Sequence, residues 1–400
     1  MRIGLFTDAY LPEVSGVTMA VRWIREELEE RGHDVCVYAP SYGPAGEDDD
    51  RTYRFRAGPV FRYKTARMAV PYSKEAYRSF ASLDVVHSHT PFSLAYAAIV
   101  AAARHRLPHV QTYHTYLSQY RHYIPRPIRP TVRAAEAYSA LLCNRCTIVT
   151  VPTPAIRDEL VRYGVRRPIH VIPLGPHLPL FDQPACWTPR EALDVPGEAK
   201  LLLYAGRLAA EKNLLFLLRG FARIRARRPD AMLVLAGDGP LRGRMETEAE
   251  ILGIAPGVRF VGFLDHRRLV DLYRAADLFL FSSKTETQGL VLVEAMAGGT
   301  PAVAVGELGV VDVVQDGVNG FLVPEDTDRF AAAAIRVLSD PAEYAALCAG
   351  ARATAARMSV QSYCDRMVEL YEACLATPNR TARRFDRLRR IRRKRAVRPV

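Results

Sequence analysis

The chain lacks any run of about 20 apolar residues, the length that spans a bilayer as a helix, because Gly, Arg or Asp interrupts each hydrophobic stretch first. No transmembrane helix is expected. The opening MRIGLFTDAY has no cleavage pattern, and with Asp8 inside its apolar run it reads as a buried first strand and not a signal peptide, which points to the cytosol. Cysteine is sparse as well. The seven, at positions 36, 143, 146, 186, 348, 364 and 374, are odd in number and scattered through expected strands and helices, so they suit buried reduced thiols better than a disulfide framework. Cys143 and Cys146 have the spacing of half a zinc site, but no second pair and no His pair follows, so they too read as core thiols. No sequence period of about 20 to 50 residues appears, which excludes a repeat array.

What is present is globular chemistry: 49% hydrophobic and 24% charged residues exclude disorder for the body of the chain. Its 400 residues exceed what one core serves, so two domains are expected. The formal charge of +12 is unevenly placed. Residues 380–400 carry ten Arg and one Lys against Asp386, and residues 51–135 carry twelve Arg and two Lys against Glu75 and Asp84, which leaves the remainder acidic. Two basic regions call for an anionic partner, and an anionic membrane or nucleic acid qualifies. In the tail, Phe385, Leu388 and Ile391 recur at spacing three, the pattern of an interfacial helix, with a solvated or nucleic-acid-binding tail as alternatives. Tyr116, Tyr120 and Tyr123 stand among Arg121, Arg126, Arg129 and Arg133, which suits either a membrane surface or an aromatic core stripe.

Short apolar strands alternate with amphipathic helices in the first half: RIGLFT (2–7), HDVCVYA (33–39), DVVHSH (84–89), HVQTYH (109–114), TIVTV (147–151) and IHVIP (169–173). That alternation means a parallel sheet covered on both faces. A Pro-rich passage from Pro173 to Pro196 reads as a linker, after which LLLYAG (201–206), AMLVLAG (231–237), VRFVGF (258–263), DLFLFSS (277–283) and PAVAV (301–305) repeat the scheme. The fold class is therefore α/β, with two Rossmann-like doubly wound domains. Residues 1–180 form the first, 190–357 the second, and 377–400 a basic tail.

In such sheets ligands gather at the carboxyl ends of strands, where helix N-termini present N–H groups to anions. After the first strand Gly16 opens a helix, either as a turn or to let a ligand approach the backbone; the loop is not G-x-G-x-x-G, so a dinucleotide site is poorly supported. Gly206-Arg207 followed by Lys212 sets two cations at a helix entrance, fit for a diphosphate or for a solvated helix start. The sharpest signal is Glu286 and Glu294, separated by seven residues around Gln288-Gly289-Leu290. Free N–H groups at that helix start favour phosphate, whereas carboxylates accept from hydroxyls, so the pattern suits a nucleotide diphosphate sugar. Glu294 lies in an otherwise apolar helix, where a buried charge needs a partner. His87 and His89 share a strand face, but no carboxylate cluster accompanies them and no metal is expected.

Arg207, Lys212, the Glu286-to-Glu294 pair and Glu-Ala-Met-Ala-Gly-Gly-Thr-Pro closely resemble the retaining glycosyltransferases of the GT-B fold, the glycosyltransferase group 1 class, over almost the whole chain. HSHTPFSL (87–94), TYHTYLSQYRHYIP (112–125) and Gln288 are similar to the bacterial diacylglycerol glucosyltransferases. The resemblance implies that Arg207 and Lys212 hold the donor diphosphate, Glu286 the transferred sugar and Glu294 the ribose. It assigns Gly16 to the donor and His114 to the donor sugar near the reacting carbon. It also implies a last helix, over 358–376, that crosses back to the N-terminal domain.

The expectation is a cytoplasmic enzyme, peripheral on the membrane, that moves a hexose from a UDP-hexose to a lipid such as diacylglycerol with retention. No further cofactor and no nucleic acid partner are expected. A saccharide, phosphatidylinositol or polyprenyl-linked acceptor is the alternative within enzymes, and a nucleic-acid-binding protein the alternative outside them.

Overall fold

The structure, a computed structural model, describes residues 1–13, 15–43, 49–60, 63–121 and 124–376, with the side chains of 60, 63–66 and 120 left out. The expected interfacial stripe of Phe385, Leu388 and Ile391 lies outside the described residues, as do Tyr123 and the side chain of Tyr120. The chain divides into two compact units. The first comprises Met1–Val151, Arg157–Ile172 and the chain from Cys364 onward; the second comprises Pro152–Ile156 and Pro173–Tyr363.

The first unit is built on a seven-stranded sheet in the order β3-β2-β1-β6-β7-β8-β9. Its strands are β1 (Arg2–Phe6), β2 (Asp34–Pro40), β3 (Thr52–Phe55), β6 (Val85–Ser88), β7 (His109–Thr112), β8 (Ile148–Val151) and β9 (Ile169–Val171), all parallel. Between β3 and β6 an antiparallel hairpin, β4 (Ala57–Val60) and β5 (Tyr63–Ala69), stands as a separate small sheet. The strands from β3 to β5 are not evident from the apolar pattern, because β3 (TYRF) and β5 (YKTARMA) interleave polar with apolar residues and β4 (AGPV) carries Gly and Pro. Phe6, Tyr38 and Phe80 pack into the core, with Phe6 and Tyr38 stacked at 4.2 Å. The sheet grows outward in two directions from the neighbouring strands β1 and β6, so the chain reverses there.

The second unit repeats the logic with six parallel strands in the order β12-β11-β10-β13-β14-β15. They are β10 (Lys200–Ala205), β11 (Ala231–Ala236), β12 (Val258–Gly262), β13 (Leu278–Phe281), β14 (Ala302–Val305) and β15 (Gly320–Val323). Here the reversal falls between β10 and β13. β10, β11, β13 and β14 are buried almost throughout, as near-continuous apolar runs require when helices cover both faces.

The Pro173–Pro196 passage, expected as a linker, is packed into the second unit. Pro179 and Pro189 each open a short helix, where a missing N–H costs nothing, and Phe181 and Val195 enter the core. The N–H groups of Cys186 and Trp187 donate to the buried Asp271 carboxylate at 2.9 and 3.0 Å. Cys186 itself is exposed and Cys374 half-buried, which corrects the reading of all seven as buried thiols; Cys36, Cys143, Cys146, Cys348 and Cys364 are buried and unbridged. Burial pushes the Cys143 thiol up to about 12 and raises Cys146 as well, so both stay protonated. The Val360–Ala376 helix begins in the second unit and continues in the first. Among the described residues no helix is long and apolar enough to cross a membrane.

Candidate functional site

In each unit the loops leaving the two strands at the reversal point meet, as open α/β sheets require of a ligand crevice. In the second unit the loop after β10 runs from Gly206 through Arg207 to the single turn Ala210–Lys212, and Asn213 then enters the Leu214–Arg227 helix with φ 55°. The loop after β13 carries Glu286. Because β10 and β13 are adjacent, Lys212 Nζ donates to Glu286 Oε1 at 2.5 Å, with both side chains only 16% exposed. Ser282, at the end of β13, fixes the pairing by donating its hydroxyl to the Lys212 carbonyl at 2.8 Å.

Arg207 donates to Glu211 at 2.8 Å. Glu211 is almost wholly covered and Arg207 is 41% exposed, so the guanidinium is oriented by a buried acid while staying accessible. The Leu290–Ala297 helix begins at Gly289, whose φ of 86° lets the chain turn into the helix. The side chain of Gln288 pairs with the Leu174 backbone, donating to the carbonyl at 2.5 Å and accepting from its N–H at 3.2 Å. It is a brace for this loop. The Thr153 hydroxyl and the Gly309 backbone complete the brace, and a Cβ on Gly309 would lie 2.0 Å from the Thr287 carbonyl oxygen.

Glu294, on the next turn of that helix, is 5% exposed and accepts from the Tyr273 hydroxyl at 2.8 Å. Burial raises its carboxyl to about 7, and the Tyr273 bond offsets only part of that. Sequence reasoning passes over Gly237 and Gly239, which follow β11. A Cβ on Gly237 would meet the Gly206 carbonyl oxygen at 2.0 Å, and one on Gly239 the Leu208 carbonyl oxygen at 2.4 Å. These glycines let the β11 loop press against the Arg207 loop, and the signal for them was a Gly-Asp-Gly directly after an apolar strand.

In the first unit the reversal point joins Asp8, after β1, to Thr90, after β6, whose hydroxyl donates to the Asp8 carboxylate at 2.6 Å. Ser93 and the Leu94 N–H also donate to Asp8, so this buried acid ties the strand end to the start of the Ser93–His105 helix. Gly16 is the first residue of the Gly16–Glu30 helix, capped by the Ser15 hydroxyl, and an added Cβ there would meet nothing within 4 Å.

His114 lies beyond β7, with its Nε2 3.1 Å from His89 Nδ1 and the two rings stacked at 5.4 Å. His89 packs on His87, and His87 is held between the Tyr371 hydroxyl and Thr112 Oγ1, each at 2.6 Å. Burial lowers His87 and His89 and brings His114 down to about 4, so His114 is a neutral imidazole near pH 7. Among the described residues no group of three or more His, Cys, Asp or Glu is placed to hold a metal ion. Tyr116 is 6% exposed and donates to Glu159 at 2.7 Å, so it belongs to the interior and not to a surface.

Residues 187–354 match the family Glycosyl transferases group 1, and residues 14–178 match Glycosyltransferase Family 4. The alpha-monoglucosyldiacylglycerol synthase of Streptococcus pneumoniae is 32% identical over 358 residues, covering 85% of this chain and 79% of that protein. A GDP-mannose-dependent alpha-mannosyltransferase of Corynebacterium glutamicum is 27% identical over 396 residues, covering 95% and 91%. Among solved structures, Anabaena HepE in complex with UDP and glucose superposes with a TM-score of 0.75 at 21% identity, covering 93% of this chain and 100% of that one.

Proposed function

The chain belongs to the group 1 glycosyl transferases and has their GT-B fold, and on that premise we propose that it moves a hexose from a nucleotide diphosphate sugar to a membrane lipid such as diacylglycerol, with retention of configuration. The observation that carries this is the Lys212–Glu286 pair at the reversal point of the second sheet, a cation for phosphate beside an acceptor for sugar hydroxyls. UDP-glucose is the donor and no further cofactor takes part. The lipid acceptor draws support from the synthase of Streptococcus pneumoniae.

Arg207, Lys212 and the N-terminus of the Leu290–Ala297 helix stabilise the charge that grows on the departing diphosphate. An ammonium carries three donors, so its bond to Glu286 is compatible with phosphate contacts. Glu286 orients the hexose through its hydroxyls, and Glu294 accepts from the ribose beside its Tyr273 bond. Gln288 acts through the loop it braces, Gly289 and Leu290 supply backbone at the helix start, and Gly16 admits the donor closely. His114, held neutral, offers an N–H to the transferred sugar. The bond from the anomeric carbon to the diphosphate breaks while a bond to the lipid oxygen forms on the same face. The lipid proton passes to a phosphate oxygen of the leaving nucleoside diphosphate. The enzyme works as a peripheral protein on the cytoplasmic side of the membrane.

Incubation with labelled UDP-glucose, UDP-galactose and GDP-mannose plus detergent-dispersed diacylglycerol tests this. An α-linked glucolipid is expected. A mannolipid would make mannose the transferred hexose, the donor sugar in the name of the Corynebacterium relative, and no glycolipid from any donor would refute the lipid acceptor.

A further inference from the structure

The connections β6-to-β7 and β7-to-β8 step in the same direction along the first sheet, so the Ser93–His105 and Val132–Cys143 helices lie side by side on one of its faces. The Tyr96 hydroxyl donates to the Tyr138 hydroxyl at 3.3 Å, and the latter donates to the Pro91 carbonyl at 2.9 Å, which stitches the two together. The buried sides of both helices are apolar, as packing on a sheet demands. Their outer sides are apolar as well. Phe92, Tyr96 and Val100 recur every four residues along the first helix and are 39, 44 and 40% exposed. Ala137 and the 51% exposed Leu141 continue the surface on the second.

The charge around this face is predominantly positive: its one acid on these two helices, Glu136, is largely covered and paired with Arg162 at 3.0 Å. Between Asp84 and Glu136 the chain holds no acidic residue, while Arg104, Arg106, Arg121, Arg126, Arg129 and Arg133 all fall there. Arg104 and Arg106 close the first helix, and exposed Arg126, Arg129 and Arg133 precede or open the second. An apolar centre with a mainly cationic surround fits a surface that is greasy within and anionic at its rim. A second copy of the chain fits poorly, because a two-fold interface would set these arginines against themselves.

We propose that the outer face of these two helices is the membrane-docking surface, with Phe92, Tyr96, Val100 and Leu141 entering the headgroup layer of an anionic bilayer and the arginines meeting lipid phosphates. The inference rests on the lipid-acceptor reading for its purpose, whereas docking itself is measured without any sugar donor.

The test is flotation of the full chain with phosphatidylcholine vesicles, with and without phosphatidylglycerol, for wild type, the Val100→Glu/Leu141→Glu variant and the apolar control Val100→Ile/Leu141→Met. Wild type and control should float with the anionic vesicles, and the Glu variant should bind them about tenfold less or weaker, the scale expected when inserted side chains become charged. Its melting temperature and its transfer to detergent-dispersed diacylglycerol should match wild type. Three results would overturn the surface: wild type that floats with neither vesicle, a Glu variant that floats as well as wild type, or a Glu variant that only changes oligomeric state. Absent transfer in detergent with the flotation contrast intact would sink the lipid-acceptor reading and leave the docking face standing.

Discussion

Replacing Lys212 by Met removes the ammonium that Glu286 accepts from at 2.5 Å while keeping the aliphatic stem. Both side chains are 16% exposed, so water replaces the lost contact only in part. Hydrogen bonds to charged groups contribute about 1.5–3 kcal/mol. If Lys212 grips the diphosphate, the dissociation constant for UDP should therefore rise roughly 10- to 150-fold, at about 1.4 kcal/mol per factor of ten. Titration calorimetry with UDP and with uridine separates this from a general loss of the site, because uridine carries no phosphate and its binding should change little. Glu286 complicates the reading, since without its partner it becomes an uncompensated carboxylate beside a dianion. The cycle with Glu286→Gln resolves that. In the Glu286→Gln background, Lys212→Met should still weaken UDP several-fold through the direct phosphate contact. Unchanged UDP affinity in both backgrounds would mean that Lys212 serves only to hold Glu286 and that the diphosphate site lies elsewhere.

Glu294 makes a pH prediction: its folded carboxyl sits near 7, above the ordinary 4.5, so between those values the folded chain holds a proton that the unfolded chain has lost. Its burden on stability is absent below about pH 4.5, grows as the pH rises and is complete above 7, reaching about 3 kcal/mol. Melting temperatures of wild type and Glu294→Gln between pH 5 and 8 should diverge in the variant's favour, and a constant gap refutes this. Gly237→Ala, with its Cβ forced to 2.0 Å from the Gly206 carbonyl oxygen and φ at 133°, should lower stability by several kcal/mol and raise the donor KM; wild-type values in both assays argue against the close loop contact. His114→Ala should reduce kcat with UDP affinity preserved. Because burial holds the wild-type imidazole down at about 4, the pH–rate profile should show no break near 6.5 from this residue, and such a break would contradict its burial.

The strands most legible in the sequence were those buried almost throughout, although the partly exposed β9 and β12 were also read. LLLYAG and AMLVLAG are apolar throughout because helices cover both faces, whereas the hairpin of Ala57–Val60 and Tyr63–Ala69 mixes polar with apolar residues and gave no run to recognise. Arg207, Lys212 and Glu286 stood out because they lie in the loops after strands, where open α/β sheets gather ligands. Contacts between distant segments were not legible. The partner of Gln288 is the backbone of Leu174, 114 positions earlier, and a backbone amide leaves no signature in side-chain chemistry.

By itself the sequence determined the periodicities, the charge asymmetry and the residue types at strand ends, because each depends on neighbours within a few positions. Only the tertiary structure decided which of those ends meet. Strand order makes β10 and β13 neighbours, and so brings Lys212 against Glu286 from 74 positions away. It also lays two helices side by side with apolar outer faces, a property of their joint surface that neither helix shows alone. Burial then sets the protonation of Glu294 and His114, since the cost of a charge depends on the whole shell of atoms around it and not on the residue that carries it.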